Sequence, residues 1–315
     1  YLYNTEKPLD IQIREELESF KYTFPITYKN TTNINRIPYI GRCHGLLKGI
    51  QWIFNMTMNE KGFEKTANID ETFEIKNKLS LVKKWDLAGF SFIVKSTTYD
   101  QKKMEHIHDA YVGINTINNI CNLIPNFAYT FGFYEKEDKV NVVMEYIRGQ
   151  TLYDYIKSVD FSFDEYLLIL IQLSLALEVA QKNCGLVHYD LTPWNIILQK
   201  IEGDPINVDY VLAHDKILRV KTNIIPIIID YGKSHVLVDE IHHGFINMFN
   251  FSTIQDVITI LIKSVDQILN TVKLNSQDFS SLIYLMNFIT DTKYRKEEFK
   301  NALMQEHFNE NYIES

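Results

Sequence analysis

No G-x-G-x-x-G occurs anywhere in these 315 residues. A phosphate-covering glycine loop of that pattern is excluded, and any such cover must come from another backbone segment. Cysteine is scarce. Cys43, Cys121 and Cys184 are an odd number with no metal-type spacing, which points to reduced, structural thiols in a cytosol-like compartment. No apolar run reaches the ~18 residues of a membrane span, and no signal-peptide pattern is present, so neither a membrane nor a secreted setting is expected. The start at Tyr1 rather than Met is expected to reflect trimming. Positive charge is not in excess. The net charge is −8 with the lysines scattered, which argues against nucleic acid as a partner. The histidines make no metal set. His235 and the pair His242-His243 lack a spacing that closes a site, and His106 and His108, two apart on a helical pattern, do not share a face. Cys184, beside Gly185, has no sequence partner that marks a nucleophile.

What is present is an ordinary soluble composition, 46% apolar and 23% charged, in a chain long enough for two lobes with their own cores. Heavy use of Ile, Asn, Lys, Tyr and Phe points to an AT-rich coding genome. The most informative stretch is His188-Tyr189-Asp190-Leu191-Thr192-Pro193-Trp194-Asn195-Ile196-Ile197-Leu198. It sets a carboxylate and a carboxamide five residues apart in a turn, then enters an apolar strand. Ile227-Ile228-Ile229-Asp230-Tyr231-Gly232 follows, a strand ending in an acid beside a glycine. Two acids and an Asn at strand ends suit phosphoryl transfer. One acid takes or orients the proton of the attacking hydroxyl, and the other acid and the Asn hold Mg²⁺ on nucleotide phosphates.

Other segments fit around these two. Phe90-Ser91-Phe92-Ile93-Val94-Lys95 reads as a strand ending in a lysine. The pattern then predicts a helix over about 102–122, with Glu105, Asp109, Val112, Thr116 and Ile120 along one stripe. Either Glu105 or Asp109 could hold Lys95; Asp109, beside the apolar stretch, is favoured. Asn141 to Ile147 is an apolar strand running into a polar dipeptide, with Gly149 soon after. Ser162-Phe163-Asp164-Glu165 is a capping box with Phe161 placed to staple against Tyr166. The helix it opens is expected to bury Leu167, Leu170, Ile171, Ser174, Leu177 and Ala180 and to end at Gly185. Residues 201–222 are expected to form an inserted hairpin turning near Gly203-Asp204-Pro205, with Pro226 at the start of the next strand, where no ladder N–H is needed. Ser252 and Gln255 read as a second capping box. The helix after it is expected to bury Ile254, Val257, Ile258, Leu261, Ile262, Val265, Ile268 and Leu269, with Asp256 off that stripe. Two more helices are expected over about 277–312. At the other end, Ile11 to Phe20 has a short helical pattern, and Gly41-Arg42-Cys43-His44-Gly45 is either a turn or a degenerate phosphate-covering loop.

In this order the motifs resemble the protein-kinase family. H-Y-D-L-T-P-W-N stands where the family has H-R-D-x-x-x-x-N, and D-Y-G where it has D-F-G. Phe90 to Lys95 resembles the V-A-I-K strand, Ile124-Pro125-Asn126-Phe127 the link into the next strand, and Asn141 to Ile147 the hinge. The resemblance covers about residues 88–265. It implies an α+β, bilobal protein-kinase-like fold with a small, mainly β N-lobe and a larger, mainly α C-lobe. Residues 1–84 would then be a divergent N-terminal extension or N-lobe part, 85–147 the N-lobe core to the hinge, and 148–315 the C-lobe. The implied cofactors are ATP and Mg²⁺. Asp190 would orient the acceptor hydroxyl, Asn195 and Asp230 would hold the metal, and Lys95 would grip the non-transferred phosphates with Asp109 as its partner. Met144 would lie beside the adenine, and the backbone of Glu145 and Ile147 would bond its edge. Ile93, Ile197 and Ile229 complete the nucleotide-binding set. Asp256 corresponds to the Asp that bonds the catalytic-loop backbone, His188 to a structural histidine, and Trp194 is expected to pack beneath the loop.

The departures from the family pattern are specific. No A-P-E occurs, and Asp256 follows Gly232 by 24 positions. Tyr189 replaces the Arg that reads a phosphorylated activation loop, so control of that kind should be absent. Thr192 replaces the Lys that stabilises the transferring phosphate in Ser/Thr kinases. Another cation, such as Lys233, would have to substitute. Three readings follow. The first is a divergent Ser/Thr protein kinase acting on an unidentified protein substrate. It is similar to atypical kinases without A-P-E, such as haspin, and to kinases of large DNA viruses. Its setting is cytoplasmic, in the host cytoplasm or the virion if the source is viral. The second is a small-molecule kinase of the aminoglycoside or choline type, which also carries H-x-D-x-x-x-x-N, often with Pro before the Asn. The third is a nucleotide-binding pseudokinase scaffold, favoured by Thr192 and the missing glycine loop and opposed by the retention of Lys95, Asp190, Asn195 and Asp230.

Overall fold

Strand alternation organises the first half of the chain. The computed structural model describes residues 47, 50–52, 54–55, 67–76, 80–87, 90–97, 103–245, 252–272 and 274–290. The expectations for Ile11 to Phe20, for Gly41 to Gly45 and for the last predicted helix lie outside the described residues. The fold is α+β. Strands β1 (Asn68–Lys76), β2 (Ser80–Leu87), β3 (Phe90–Thr97), β4 (Thr130–Lys136) and β5 (Lys139–Glu145) form one antiparallel sheet in the order β1-β2-β3-β5-β4. The sheet thus begins at Asn68, inside the stretch 1–84 that was least readable in sequence. On β3, period-two alternation sends Phe92 and Val94 into the main core, while Ile93 and Lys95 share the other face. Across the ladder Ile93 pairs with Met144 and Lys95 with Val142.

Helix α1 (Lys103–Val112) crosses that second face. It runs on through a π-helical turn, Gly113–Ile117, into Asn118–Ile120, which together match the helix expected over 102–122. Asp109, Val112, Thr116 and Ile120 are buried along it. Gly113 marks the crossing. A Cβ there would lie 2.1 Å from the Thr130 hydroxyl oxygen, so the helix reaches β4 only because a side chain is missing.

The second half is helical with small sheets between. Helix α2 (Leu152–Lys157) is capped by Thr151, whose Oγ1 accepts the Asp154 N–H at 3.0 Å. Helix α3 (Phe163–Cys184) is capped by Ser162, whose hydroxyl accepts the Glu165 N–H, and it closes at Gly185 with φ +59°. The return half of that capping box is not made. The Tyr155 hydroxyl donates to the Glu165 carboxylate and accepts the Ser162 N–H instead. Phe161 and Tyr166 do stack, with centroids 6.2 Å apart.

The buried face of α3 matches the expected stripe at Leu177 and Ala180 and differs elsewhere. Ile171 and Ser174 are exposed, and Tyr166, Ile169, Gln172, Leu173 and Ala176 point inward. The helix is apolar nearly all round, so hydrophobicity alone did not select a face. Specific partners do: the Tyr166 hydroxyl meets Ser264 Oγ at 2.6 Å, and the Gln172 amide donates to the Ile224 carbonyl at 3.1 Å.

Strands β6 (Gln150–Thr151), β7 (Ile196–Lys200), β8 (Ile206–Val211), β9 (Ile217–Thr222) and β10 (Ile224–Ile228) follow. β10, β7 and β6 form one sheet, and β8 and β9 a separate hairpin. The inserted hairpin is therefore present, but its turn is at Ala213–Asp215, where His214 and Asp215 adopt positive φ. Gly203-Asp204-Pro205 is the link into β8. Pro226 lies mid-strand, opposite Leu198, and is tolerated because β10 is an edge strand. Strands β11 (Val236–Val238) and β12 (Ile241–His243) pair across Asp239-Glu240, and α4 (Gln255–Thr271) and α5 (Ser276–Thr290) follow.

On α4 the second capping box is absent. The Gln255 N–H bonds the Ser252 carbonyl at 3.3 Å, and Ile254 precedes the helix with no side-chain cap. Leu261, Val265 and Ile268 are buried as expected, but the buried face also carries Asp256, Thr259, Ile260 and Ser264, and Ile254 is exposed. The polar residues rotate the face, because Asp256 and Ser264 have buried partners. Cys121 and Cys184 are buried free thiols, and burial pushes the Cys184 thiol up to about 11, unsuited to a nucleophile. No helix among the described residues is long and apolar enough to cross a membrane.

Gly149 joins β5 to β6 where the chain passes over β7. A Cβ there would lie 2.2 Å from the Leu198 carbonyl oxygen, a backbone atom held in the ladder. Gly149→Ala is expected to cost about 1–3 kcal/mol of stability through forced displacement, measured as a lowered urea midpoint. An unchanged midpoint would mean that this close approach is absent in solution.

Candidate active site

The loop after α3 is fixed from three sides. Val187 and His235 exchange backbone hydrogen bonds, at 2.9 and 2.7 Å. Asp256 on α4 accepts the N–H groups of His188 and Tyr189, at 2.7 and 2.8 Å. This carboxylate is fully buried, and burial raises its pKa against the pull of His188 and the two N–H bonds. Tyr189 is held at φ +60°, a costly conformation for a bulky residue. His188 Nε2 donates to the Ile229 carbonyl at 3.0 Å, consistent with a structural histidine. Within the loop, the Asn195 amide donates to the Asp190 backbone carbonyl at 2.8 Å, leaving its Oδ1 as the group that could meet a cation. The Ile229 N–H bonds the Asn195 carbonyl at 3.0 Å, so the two strand ends carrying Asn195 and Asp230 are tied directly. Trp194 does not pack beneath the loop. It is 50% exposed and stands edge-on to Tyr153, because the Pro193–Asn195 turn buries Pro193 and Asn195 instead.

Lys95 is the centre of the second part. Its ammonium donates to Asp109 Oδ2 at 2.8 Å and to Asp230 Oδ1 at 2.6 Å. Asp109, not Glu105, is the helix partner. Its other oxygen accepts the Tyr231 N–H at 2.9 Å. Glu105 packs its Cγ over Gly232, 3.0 Å from where a Cβ would stand. Burial works against the charge of Lys95, but Asp109 and Asp230 outweigh it and raise its pKa. Burial likewise favours the neutral form of Asp230, yet Lys95 holds the carboxyl down to about 2. Lys95 and Asp230 are therefore both charged near neutral pH. Asp230 itself sits at φ +68°.

The other predicted residues divide in two. Ile93 and Met144 share a small apolar cluster with Ala110, Val140 and Val142 beneath α1. Ile147, Ile197 and Ile229 belong to the main core. The Glu145 N–H is taken by the Tyr129 carbonyl at 2.8 Å, and its carboxylate accepts the Tyr129 N–H at 3.1 Å, so only its carbonyl could offer an edge contact. Two cavities, of about 760 and 270 Å³, lie elsewhere and include none of these side chains. Among the described residues no group of three or more His, Cys, Asp or Glu could hold a metal ion by itself.

Two features were not evident from spacing. Lys233, on the turn after Asp230, donates to Asp190 Oδ2 at 3.1 Å. Histidines from three segments also converge: His235 Nε2 meets His242 Nδ1 at 2.7 Å, the His108 ring donates to the Ser234 carbonyl at 2.7 Å, and Tyr111 Oη lies 3.3 Å from His243 Nε2. The two-residue turn at Asp239-Glu240 brings them together. Non-glycine residues build it at positive φ, so the sequence carried no turn signal there.

A lysine locked to two carboxylates, beside an Asp–Asn loop, is the constellation of kinase-like proteins, and comparison with known proteins agrees. No protein-family model matches the chain. It is 35% identical to the uncharacterized protein 179R of Invertebrate iridescent virus 6, across 78% of this chain and 24% of that protein. It is 32% identical to the probable kinase 098L of Invertebrate iridescent virus 3, across 53% of this chain and 31% of that protein. It is 29% identical to the calcium/calmodulin-dependent protein kinase type II of Schizosaccharomyces pombe, across 44% of this chain and 31% of that protein. The chain spans about a quarter to a third of the length of these curated relatives. It is kinase-like in sequence, with relatives in iridescent viruses.

Lys95→Met would strand the buried Asp109 carboxylate and is expected to lower stability by about 3–5 kcal/mol; urea unfolding near neutral pH measures it. A second expectation concerns pH. Burial, followed by His242, His108 and His243, holds His235 below its ordinary value of 6.5. Just below that pH the unfolded chain binds a proton that the folded chain does not, so stability falls as pH drops through 6.5. Urea midpoints taken from about pH 7.5 down to about 5.5 should decline, and decline less in His235→Asn.

Proposed function

We propose that this chain is an Mg²⁺-dependent phosphotransferase that moves the γ-phosphoryl group of ATP to a Ser or Thr hydroxyl of a protein, with the nucleotide between a mainly β and a mainly α lobe. The observation that carries this reading is the Lys95 ammonium held between Asp109 and Asp230, at 2.8 and 2.6 Å. Burying the Lys95–Asp109 pair is costly, and apolar residues would often stabilise the fold as well. As a preset grip on a polyanion the arrangement has a purpose. Phosphates would replace Asp230 at the ammonium while Asp109 keeps it in place.

Asn195 through Oδ1 and Asp230 through its carboxylate would hold Mg²⁺. Hard oxygen donors in an incomplete set suit an ion that keeps waters and phosphate oxygens in its shell. Its charge would neutralise the phosphate oxygens. Asp190 accepts the proton of the acceptor hydroxyl as the new O–P bond forms and the bond to the ADP oxygen breaks. Met144, the Glu145 carbonyl and the Ile147 backbone would face the adenine, with Ile93, Ile197 and Ile229 closing the nucleotide site. The Tyr189 hydroxyl accepts the Ser252 N–H at 3.3 Å. Having no cation for a phosphate, it gives no handle for activation-loop phosphorylation, so the site is proposed to work without that control.

The test is transfer of radiolabelled γ-phosphate from Mg·ATP, wild type against Asp190→Asn, to a generic protein acceptor and to a panel of amino-sugars and choline. Transfer to protein that Asp190→Asn lowers by roughly 10²–10⁴-fold, with the nucleotide still raising Tm in both proteins, is expected. Transfer to small molecules alone would move the substrate class to the aminoglycoside or choline type. Binding of nucleotide without any turnover would make the chain a scaffold.

A further inference from the structure

The loop lacks a cation where transfer needs one. Thr192 is 5% exposed, its hydroxyl has no hydrogen-bond partner among the described residues, and it carries no charge. Lys95 is committed to Asp109 and Asp230. A second lysine does reach Asp190. Lys233, from a segment 43 residues further on, places Nζ 3.1 Å from Asp190 Oδ2 with its side chain half exposed. As a surface ion pair this would stabilise the fold little, so stability alone gives no reason for the placement.

The backbone that presents Lys233 is pinned on both sides. Before it, the Tyr231 N–H is fixed by Asp109 at 2.9 Å, and Gly232 packs against Glu105. After it, the Ser234 N–H closes a turn onto the Tyr231 carbonyl at 3.0 Å, and His235 is paired with Val187. Lys233 is therefore the tip of a turn clamped between the acid of β10's end and the start of the catalytic loop. Its stem is long and solvent-facing, so the ammonium can move from Asp190 to an adjacent anion without disturbing that turn.

We propose that Lys233 is a catalytic residue, whose ammonium contacts the transferring phosphoryl group beside Asp190 and supplies the charge that Thr192 lacks. This rests on the phosphotransferase reading above. In the step, the acceptor oxygen bonds to the γ-phosphorus and its proton passes to the Asp190 carboxylate. The bond to the bridging oxygen breaks with its electron pair retained by ADP. Lys233 stays protonated throughout and balances charge on the equatorial oxygens.

The experiment is steady-state transfer by wild type, Lys233→Met and Lys233→Arg, with Tm followed in parallel with and without Mg·ATP. Lys233→Met should lower kcat by roughly 10²–10³-fold, leave KM for Mg·ATP within about threefold, and leave Tm and its nucleotide-induced rise unchanged. Lys233→Arg should recover at least about a tenth of the wild-type kcat. An active wild type with an equally active Lys233→Met would overturn this inference alone. So would a loss confined to KM, or a kcat loss that Lys233→Arg shares in full. A wild type that transfers phosphate to nothing, water included, would overturn the proposed function, and the role of Lys233 with it.

Discussion

The Lys95 ammonium ties three separate pieces of this protein: the sheet through β3, the crossing helix through Asp109, and the end of β10 through Asp230. Removing a charge from water costs several kcal/mol even after relaxation, so the three groups must meet at hydrogen-bonding distance or the arrangement would oppose folding. That requirement propagates outward. α1 must lie close to the sheet, which Gly113 permits at Thr130. Asp109 must face inward, and its second oxygen then fixes the backbone at Tyr231. Asp230 must turn toward the lysine, which places it in the left-handed region.

Asp256 performs the matching task for the loop after α3. It accepts two successive N–H groups and so holds Tyr189 in a conformation that the residue would not choose alone. The loop carries Asp190 and Asn195, and its internal bonds leave few soft dihedrals. In the proposed reaction, groups fixed in advance would need no reorganisation, which is where electrostatic catalysis gains most. The two anchors meet through the bond between the Ile229 N–H and the Asn195 carbonyl.

Several features were legible because they are local. Ser162 and Gly185 bound α3 through contacts within a few residues, and period-two alternation placed Ile93 and Lys95 on one face of β3. The misread features share a cause. On α3, apolar residues surround the helix so completely that hydrophobicity selects no unique face, and on both α3 and α4 the buried positions include polar residues, Gln172, Ser264 and Asp256, which a polarity scale sends outward. Each is buried where a distant residue bonds one of its polar groups. The turns at Asp239-Glu240 and His214-Asp215 escaped for a related reason: non-glycine residues occupy positive φ where glycine or asparagine would have announced a turn.

The amino-acid sequence, read alone, settled which chemical groups exist and in what order they come. The pairing of an Asp–Asn loop with a strand-end acid, the lysine at the end of a strand, and the helix between them depend on spacing within short segments, which sequence encodes directly. Packing settled which of those groups touch. The choice of Asp109 over Glu105, the inward turn of Asp256, the meeting of Lys233 with Asp190 and the gathering of four histidines all depend on distances between elements far apart in the chain. Such distances are set by how whole faces fit together, so no single segment carries them.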